Sequence, residues 1–153
     1  MKCTLLACGR IKSGAPEDQL CQDYLKRLGG SVEVIEFESK ERDETRRTAD
    51  EQARLLKAID EFDGFVIALD ERGKTMKSIE FASLLDERAL QIGRPILVLI
   101  GGACGLGDAV RNRVDLLLGL GKLTWPHKLV RVMILEQLYR ASSILAGHPY
   151  HRE

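Results

Sequence analysis

The sequence predicts an α/β fold in which a parallel sheet carries helices on both faces. Short apolar runs of β-branched residues and Leu alternate with amphipathic helical patterns along the 153-residue chain, and strands that alternate with helices pair in parallel. The composition, 44% hydrophobic and 30% charged, is that of an ordinary globular protein. No internal repeat or low-complexity linker interrupts the pattern, so we expect one domain over residues 1–153.

Apolar runs and turn residues place the predicted elements. Strands are predicted at residues 2–8, 32–37, 65–69, 96–100 and within 116–124. Helices are predicted at residues 16–28, 48–62, 78–92, 106–114 and 128–146, with Pro at the start of the first and Gly after its end. The charged run between the second strand and the second helix, residues 39–47, is expected to be a solvated loop.

Residues 95–107, PILVLIGGACGLG, are the stretch around which the rest of the chain is organised. A buried strand ends abruptly in Gly101-Gly102, two further glycines follow, and a helical pattern then begins. Because glycine has no Cβ, the backbone here can approach a ligand closely. The residues alone leave two interpretations open: a loop that binds a nucleotide-like ligand, or a tight strand-to-helix turn with no ligand.

Spacing disfavours two phosphate-binding motifs. Gly73-Lys74-Thr75 matches the end of a P-loop, but Ala68, inside a strand, occupies the position of the first glycine. The glycine stretch reads GGxxGxG after the fourth strand, whereas a dinucleotide fingerprint reads GxGxxG after the first strand, with an acidic residue about 20 positions later. We therefore expect neither stretch to bind phosphates.

The composition excludes several classes of protein. No run approaches the ~18 apolar residues that a membrane span requires, so we expect no membrane partner. The four cysteines, Cys3, Cys8, Cys21 and Cys104, form no CxxC pair and no zinc-type spacing. We therefore expect reduced thiols, a cytoplasmic protein and no metal site.

The C-terminal third differs from the rest of the chain in charge. Residues 111–153 carry seven Lys or Arg and three Asp or Glu, a net charge of +4, which favours an anionic partner but also arises from solvated surface charges. The chain ends in GHPYHRE, where Tyr150, His151 and Arg152 stand side by side. These three side chains can stack on a base, hydrogen-bond and contact a phosphate; a plain polar tail is the alternative.

The last predicted helix, residues 128–146, is apolar around most of its circumference. Its exposed polar positions are few, namely Arg131, Glu136, Gln137, Arg140 and Ser142-Ser143. Such a helix must bury two faces, and the sheet can cover one. We therefore predict a homodimer through this helix; the alternative is a helix enclosed by its own chain.

Four motifs taken together resemble a known family. They are LDERGK at 69–74, LIGGACGL at 99–106, LTWPHKLVRVMILEQLYRA at 123–141 and HPYHRE at 148–153. In content and order they are similar to the ribosomal RNA large subunit methyltransferase H family, small members of the SPOUT class, and the resemblance covers the whole chain. Relatives vary at the two positions after the paired glycines, here Ala103-Cys104, so side-chain contacts there are not carried over.

The resemblance implies both an activity and a fold. The activity is transfer of a methyl group from S-adenosylmethionine to N3 of a pseudouridine in a stem-loop of 23S rRNA on the assembled ribosome. The fold includes a C-terminal trefoil knot whose loops hold the cofactor. Carried over by position, the cofactor-binding residues are Leu69, Asp70, Gly101, Gly102, Gly121, Lys122, Leu123, Thr124, Trp125 and Pro126. The candidate catalytic residues, which would hold the target nucleotide, are Tyr150, His151 and Arg152.

Two points stay open at this stage. His127 and His151 could each accept the N3 proton, since an unperturbed imidazole has a pKa of about 6.5, and the sequence does not choose between them. A non-catalytic, nucleotide-binding, ribosome-associated α/β factor would use the glycine turn and the dimer helix equally well. Binding of ATP or NAD, and not of S-adenosylmethionine, would favour that second function.

Overall fold

The computed structural model describes residues 1–152, and these form one five-stranded sheet in which all strand pairs are parallel. The strand order is β2-β1-β4-β3-β5. The strands are β1 Cys3–Cys8, β2 Val32–Phe37, β3 Phe65–Lys74, β4 Ile96–Ile100 and β5 Leu116–Leu118. The predicted parallel α/β sheet is confirmed, whereas the trefoil knot stays a prediction.

Five helices cover the two faces of this sheet. They are α1 Pro16–Arg27, α2 Glu44–Glu61, α3 Ser78–Leu85, α4 Asp108–Arg111 and α5 His127–Leu145, and a π-helical segment, Asp86–Gln91, continues α3. Helices α1, α3 and α5 pack on one face and α2 and α4 on the other. None of the helices in residues 1–152 has the length and apolar character needed to cross a bilayer.

The side-chain alternation of the strands builds a core on each face. In β1, Leu5 and Ala7 are buried under α1 and α5, while Cys8 points to the opposite core under α2. The central strand β4 is buried at every residue, because helices cover both of its faces. Its continuous apolar run is therefore a signature of its central position in the sheet.

The structure corrects the predicted bounds of α2 and β3. Helix α2 begins at Glu44, inside the predicted loop, because the Asp43 side chain accepts a hydrogen bond from the Arg46 amide at 2.9 Å and caps the helix. Strand β3 continues to Lys74, and its pairing with β5 shifts register after Leu69. The shift carries residues 70–73 out of the ladder at the carboxyl end of the sheet.

Helix α5 lies between α1 and α3 and packs against both. Its own chain therefore covers much of the apolar surface of α5, and the homodimer stays a prediction. The expectation that Arg131 is exposed was wrong: only 2% of this residue is accessible. Its guanidinium forms an ion pair with Glu36 and donates to the Gly9 carbonyl at 3.0 Å, which satisfies most of a buried charge.

Candidate functional site

A cavity of about 360 Å³ opens at the carboxyl ends of β3, β4 and β5, where α5 begins. Eight of the ten predicted cofactor-binding residues line it: Leu69, Asp70, Gly101, Gly102, Gly121, Leu123, Thr124 and Trp125. Lys122 and Pro126 belong to the same segment as the last four but do not line the cavity. Because parallel strands end at one edge of a sheet, three chain segments distant in sequence meet there.

The glycine turn after β4 forms one wall of this cavity. The Gly105 amide donates to the Gly102 carbonyl at 3.0 Å, so the turn folds back on itself. A Cβ on Gly101 would stand 2.9 Å from the Gly105 carbonyl carbon, and Gly105 has a φ of +77°. The turn is therefore closed by glycine at both ends, and its backbone faces the cavity.

Residues 70–72, where β3 leaves its ladder with β5, form a second wall of the cavity. The carboxylate of Asp70 already has two partners there. Asp70 accepts from Arg111 Nε at 2.8 Å and from the Arg72 amide at 2.9 Å. The hydrogen bond to Asp70 raises the pKa of Arg111, which also pairs with Asp108. Arg111 lines the cavity, and sequence reasoning missed it, because a single Arg on a short helix carries no recognisable motif.

The segment between β5 and α5 forms the third wall. The Thr124 hydroxyl donates to the Glu71 carboxylate at 2.8 Å, and the Trp125 indole N–H donates to the Leu120 carbonyl at 3.2 Å. These two bonds hold the segment over the cavity while apolar surface stays open: Leu123 is 70% exposed and Trp125 40%. Exposed apolar side chains at a cavity suit a flat apolar ligand such as a nucleobase.

His127, the first residue of α5, lies at the floor of the cavity. Burial lowers its pKa below the usual value, and the neighbouring Lys128 and Arg131 lower it further. The ring packs over Gly9, where a Cβ would stand 3.8 Å from Nε2. These causes favour the neutral imidazole over the protonated one at the cavity.

The tail residues Tyr150 and His151 follow α5 in sequence and pack back against its side chains, outside the first cavity. The Tyr150 hydroxyl donates to Glu136 at 3.2 Å, its ring stacks edge-on with Tyr139 at 4.8 Å, and Arg140 lies 4.9 Å from its centroid. Burial, first of several causes, raises the pKa of Tyr150 to about 12. Arg140 also contacts His151 Nδ1 at 3.3 Å. We call these five residues, Glu136, Tyr139, Arg140, Tyr150 and His151, the tail cluster.

Arg152 is exposed, next to the tail cluster. A second cavity, of about 530 Å³, includes Glu136 and Arg140 in its wall and shares Leu118, Leu120 and Gly121 with the first cavity. The two cavities thus meet along the β5–α5 segment. Tyr150, His151 and Arg152 do not line the second cavity, but Tyr150 and His151 contact Glu136 and Arg140 in its wall. Within residues 1–152, no group of three or more His, Cys, Asp or Glu side chains is placed to hold a metal ion.

Comparison with known proteins defines the class. A family model described as "Predicted SPOUT methyltransferase" matches residues 1–151. The chain, with its parallel sheet and glycine-walled cavity, is thus a member of the SPOUT methyltransferase class. The SpoU methyltransferase AviRb from Streptomyces viridochromogenes, solved in complex with AdoMet, aligns at 15% identity and a TM-score of 0.48, over 91% of this chain and 57% of AviRb.

Curated relatives narrow the family. Proteins named "Ribosomal RNA large subunit methyltransferase H" are 47% identical in Rhizobium etli, 47% in Cereibacter sphaeroides and 43% in Allorhizobium ampelinum, each alignment covering 99% of both chains. This chain belongs to the ribosomal RNA large subunit methyltransferase H family. The resemblance inferred from the four motifs is confirmed.

Proposed function

We propose that this chain methylates N3 of a pseudouridine in a stem-loop of 23S rRNA on the assembled ribosome, with S-adenosylmethionine as the methyl donor. One observation carries the proposal: a chain of this family has a glycine-walled cavity where its family motifs converge. The name of the relatives supports the substrate class. The single domain over residues 1–153 and the cytoplasmic location stay predictions.

The residues of the first cavity fit such a cofactor. Its volume lies within the range of about 300–1,000 Å³ typical of small-molecule sites. Gly101 and Gly102 line the cavity with their backbone, which can bond the polar edges of an adenine and a ribose, and Leu123 and Trp125 offer apolar surface to a flat base. The P-loop alternative has no support here, because Gly73 packs against β5: a Cβ there would stand 2.5 Å from the Gly119 amide nitrogen.

The main contribution of the protein to methyl transfer is to align the donor with the acceptor, and reactive side chains contribute less. A bound sulfonium supplies an activated methyl group, so holding donor and acceptor in line accounts for most of the acceleration. The N3 proton must also leave the base. His127 is the imidazole in the cavity wall, where burial favours its neutral form, while His151 is held on the tail by Arg140; both stay candidates for accepting this proton.

We propose that Tyr150, His151 and Arg152 hold the target nucleotide and that the chain acts as a homodimer through α5. The tail cluster supports the first part, because it presents an aromatic ring and a guanidinium beside the second cavity. Leu129 and Leu145, 39% and 41% exposed on α5, support the second. Analytical ultracentrifugation tests the dimer, which a monomer at micromolar concentration would contradict.

Two experiments test the function. Mass spectrometry of 23S rRNA from cells lacking the protein should show one pseudouridine that has lost a methyl group, and re-expression should restore it. Calorimetry should show binding of S-adenosylmethionine and none of ATP or NAD. Unchanged rRNA, together with binding of ATP or NAD, would instead support a non-catalytic ribosome-associated factor.

A further inference from the structure

Helix α2 brings one carboxylate against the glycine turn from outside the cavity. Glu51 packs directly on Gly102: a Cβ there would stand 3.0 Å from Glu51 Cδ and would overlap a carboxylate oxygen. Gly102 itself lines the cavity. The Glu51 carboxylate is thus separated from the cavity only by the backbone of a glycine, and no side chain at that position screens its charge.

Glu51 lacks the partners that a half-buried carboxylate normally has. Burial is the main cause that raises its pKa; Arg47 and Asp50 of the same helix act through space, and no hydrogen bond from the described residues, 1–152, contributes. From β1, the Cys8 thiol faces the same carboxylate. Arg47 offsets part of the effect of burial, and a further cation that approached this partly buried carboxylate would stabilise its charged form.

The two acids of the cavity wall differ from Glu51. Asp70 is neutralised by Arg111 and also accepts from the Arg72 amide. Glu71 accepts from the neutral Thr124 hydroxyl and keeps its charge, but it is exposed, and water and salt screen an exposed charge. Glu51 is instead partly buried beside the turn and forms no ion pair with any of residues 1–152.

We propose that Glu51 is a specificity-determining residue that, across Gly102, favours the positively charged S-adenosylmethionine over its neutral product S-adenosylhomocysteine. The inference rests on the proposed function. After transfer, the sulfur is a neutral thioether, so the attraction to Glu51 disappears and the product leaves more readily. The absence of a side chain at Gly102 is what lets the carboxylate come this close.

The test measures the affinities of both ligands by calorimetry for the wild type and for Glu51→Gln. We expect the variant to bind S-adenosylmethionine about fivefold more weakly, the upper range of a partly screened charge pair, and S-adenosylhomocysteine unchanged. An analogue with an ammonium group in place of the sulfonium should weaken in parallel with S-adenosylmethionine. Glu61→Gln, the same change at the exposed end of α2, should alter none of the three affinities.

An equal loss for charged and neutral ligands, or no loss for either, would overturn the inference, because a purely structural role moves both together. If the wild type binds neither ligand, the proposed function fails as well. Carboxyl ¹³C NMR on the wild type gives a second readout that needs no variant. The pKa of Glu51 should fall when S-adenosylmethionine is added and stay unchanged with S-adenosylhomocysteine; equal responses would contradict the proposal.

Discussion

The first cavity lies at the start of α5, the tail cluster packs on its second half, and the two are built differently. One wall of the cavity is backbone, because glycines close the turn after β4 and leave no room for a Cβ. The tail cluster consists of side chains, with Glu136 accepting from Arg140 and Tyr150. The cavity should therefore be damaged by added atoms, whereas the tail cluster should be damaged by lost atoms.

Removing the tail should separate the two regions most clearly. A chain that ends at Pro149 loses the aromatic ring, the imidazole and the guanidinium proposed to hold the target nucleotide, and keeps every residue of the first cavity. We expect rRNA methylation to fall about 100-fold or more, the size expected when a reactant is no longer positioned. Binding of S-adenosylmethionine, measured by calorimetry, should change less than about twofold.

The control for this truncation is Tyr150→Phe. It keeps the ring that packs on Tyr139 and loses only the hydroxyl bonded to Glu136, so it should retain most of the activity if stacking is the tail's main contribution. Full methylation by the truncated chain would remove the tail from the proposed mechanism.

Arg131 is an exception to this difference between the two regions. It supports the first cavity with a side chain, so this part of the cavity should be damaged by lost atoms. It ties the start of α5 to Glu36 on β2 and to the Gly9 carbonyl after β1. Arg131→Met should lower the free energy of unfolding by about 2 kcal/mol, less than for a fully buried pair because Glu36 is partly exposed. Urea denaturation measures this change, and Lys128→Met, on the exposed face of the same turn, should leave the stability within about 0.5 kcal/mol.

Adding one methyl group should damage the cavity wall. In Gly102→Ala the new Cβ overlaps the Glu51 carboxylate, so the turn must shift, and we expect affinity to fall about tenfold. The measurement uses S-adenosylhomocysteine, whose neutral sulfur leaves out the charge effect. If the neighbour is what requires glycine, Glu51→Ala in the same chain should restore much of the affinity; no recovery would show that the ligand itself needs the space.

The residues that line the cavity were easier to predict from the sequence than the side chains that support them. Glycine at Gly101 and Gly102 and a buried strand before them are local patterns, and a local pattern can be recognised in sequence. Arg111 and Glu51 act through contacts with residues 41 and 51 positions away, and nothing in their own neighbourhood marks them. The buried Arg131 was missed for the same reason, since its partner on β2 lies 95 residues earlier.

Removing the hydrogen bond from Thr124 to Glu71 measures how much this contact stabilises the segment between β5 and α5, the third wall of the cavity. Thr124→Val keeps the shape and removes the donor, so the segment over the cavity loses one of its two anchors. We expect S-adenosylmethionine to bind about threefold more weakly, the contribution of one hydrogen bond. Thr75→Val, the same substitution at an exposed residue just after β3, serves as the control, and an equal effect of both changes would contradict the assigned role.

The smallest expected effect is a pH dependence of the cavity floor. The pKa of His127 is lowered by burial, then by Lys128 and Arg131, so the unfolded chain binds a proton at this position more readily than the folded chain does. Stability should therefore decrease as the pH falls below about 6.5, the unfolded value. His127→Gln should remove this component of the decrease in urea denaturation between pH 7 and pH 5, and an identical pH profile for both chains would mean that His127 stays hydrated in the folded protein.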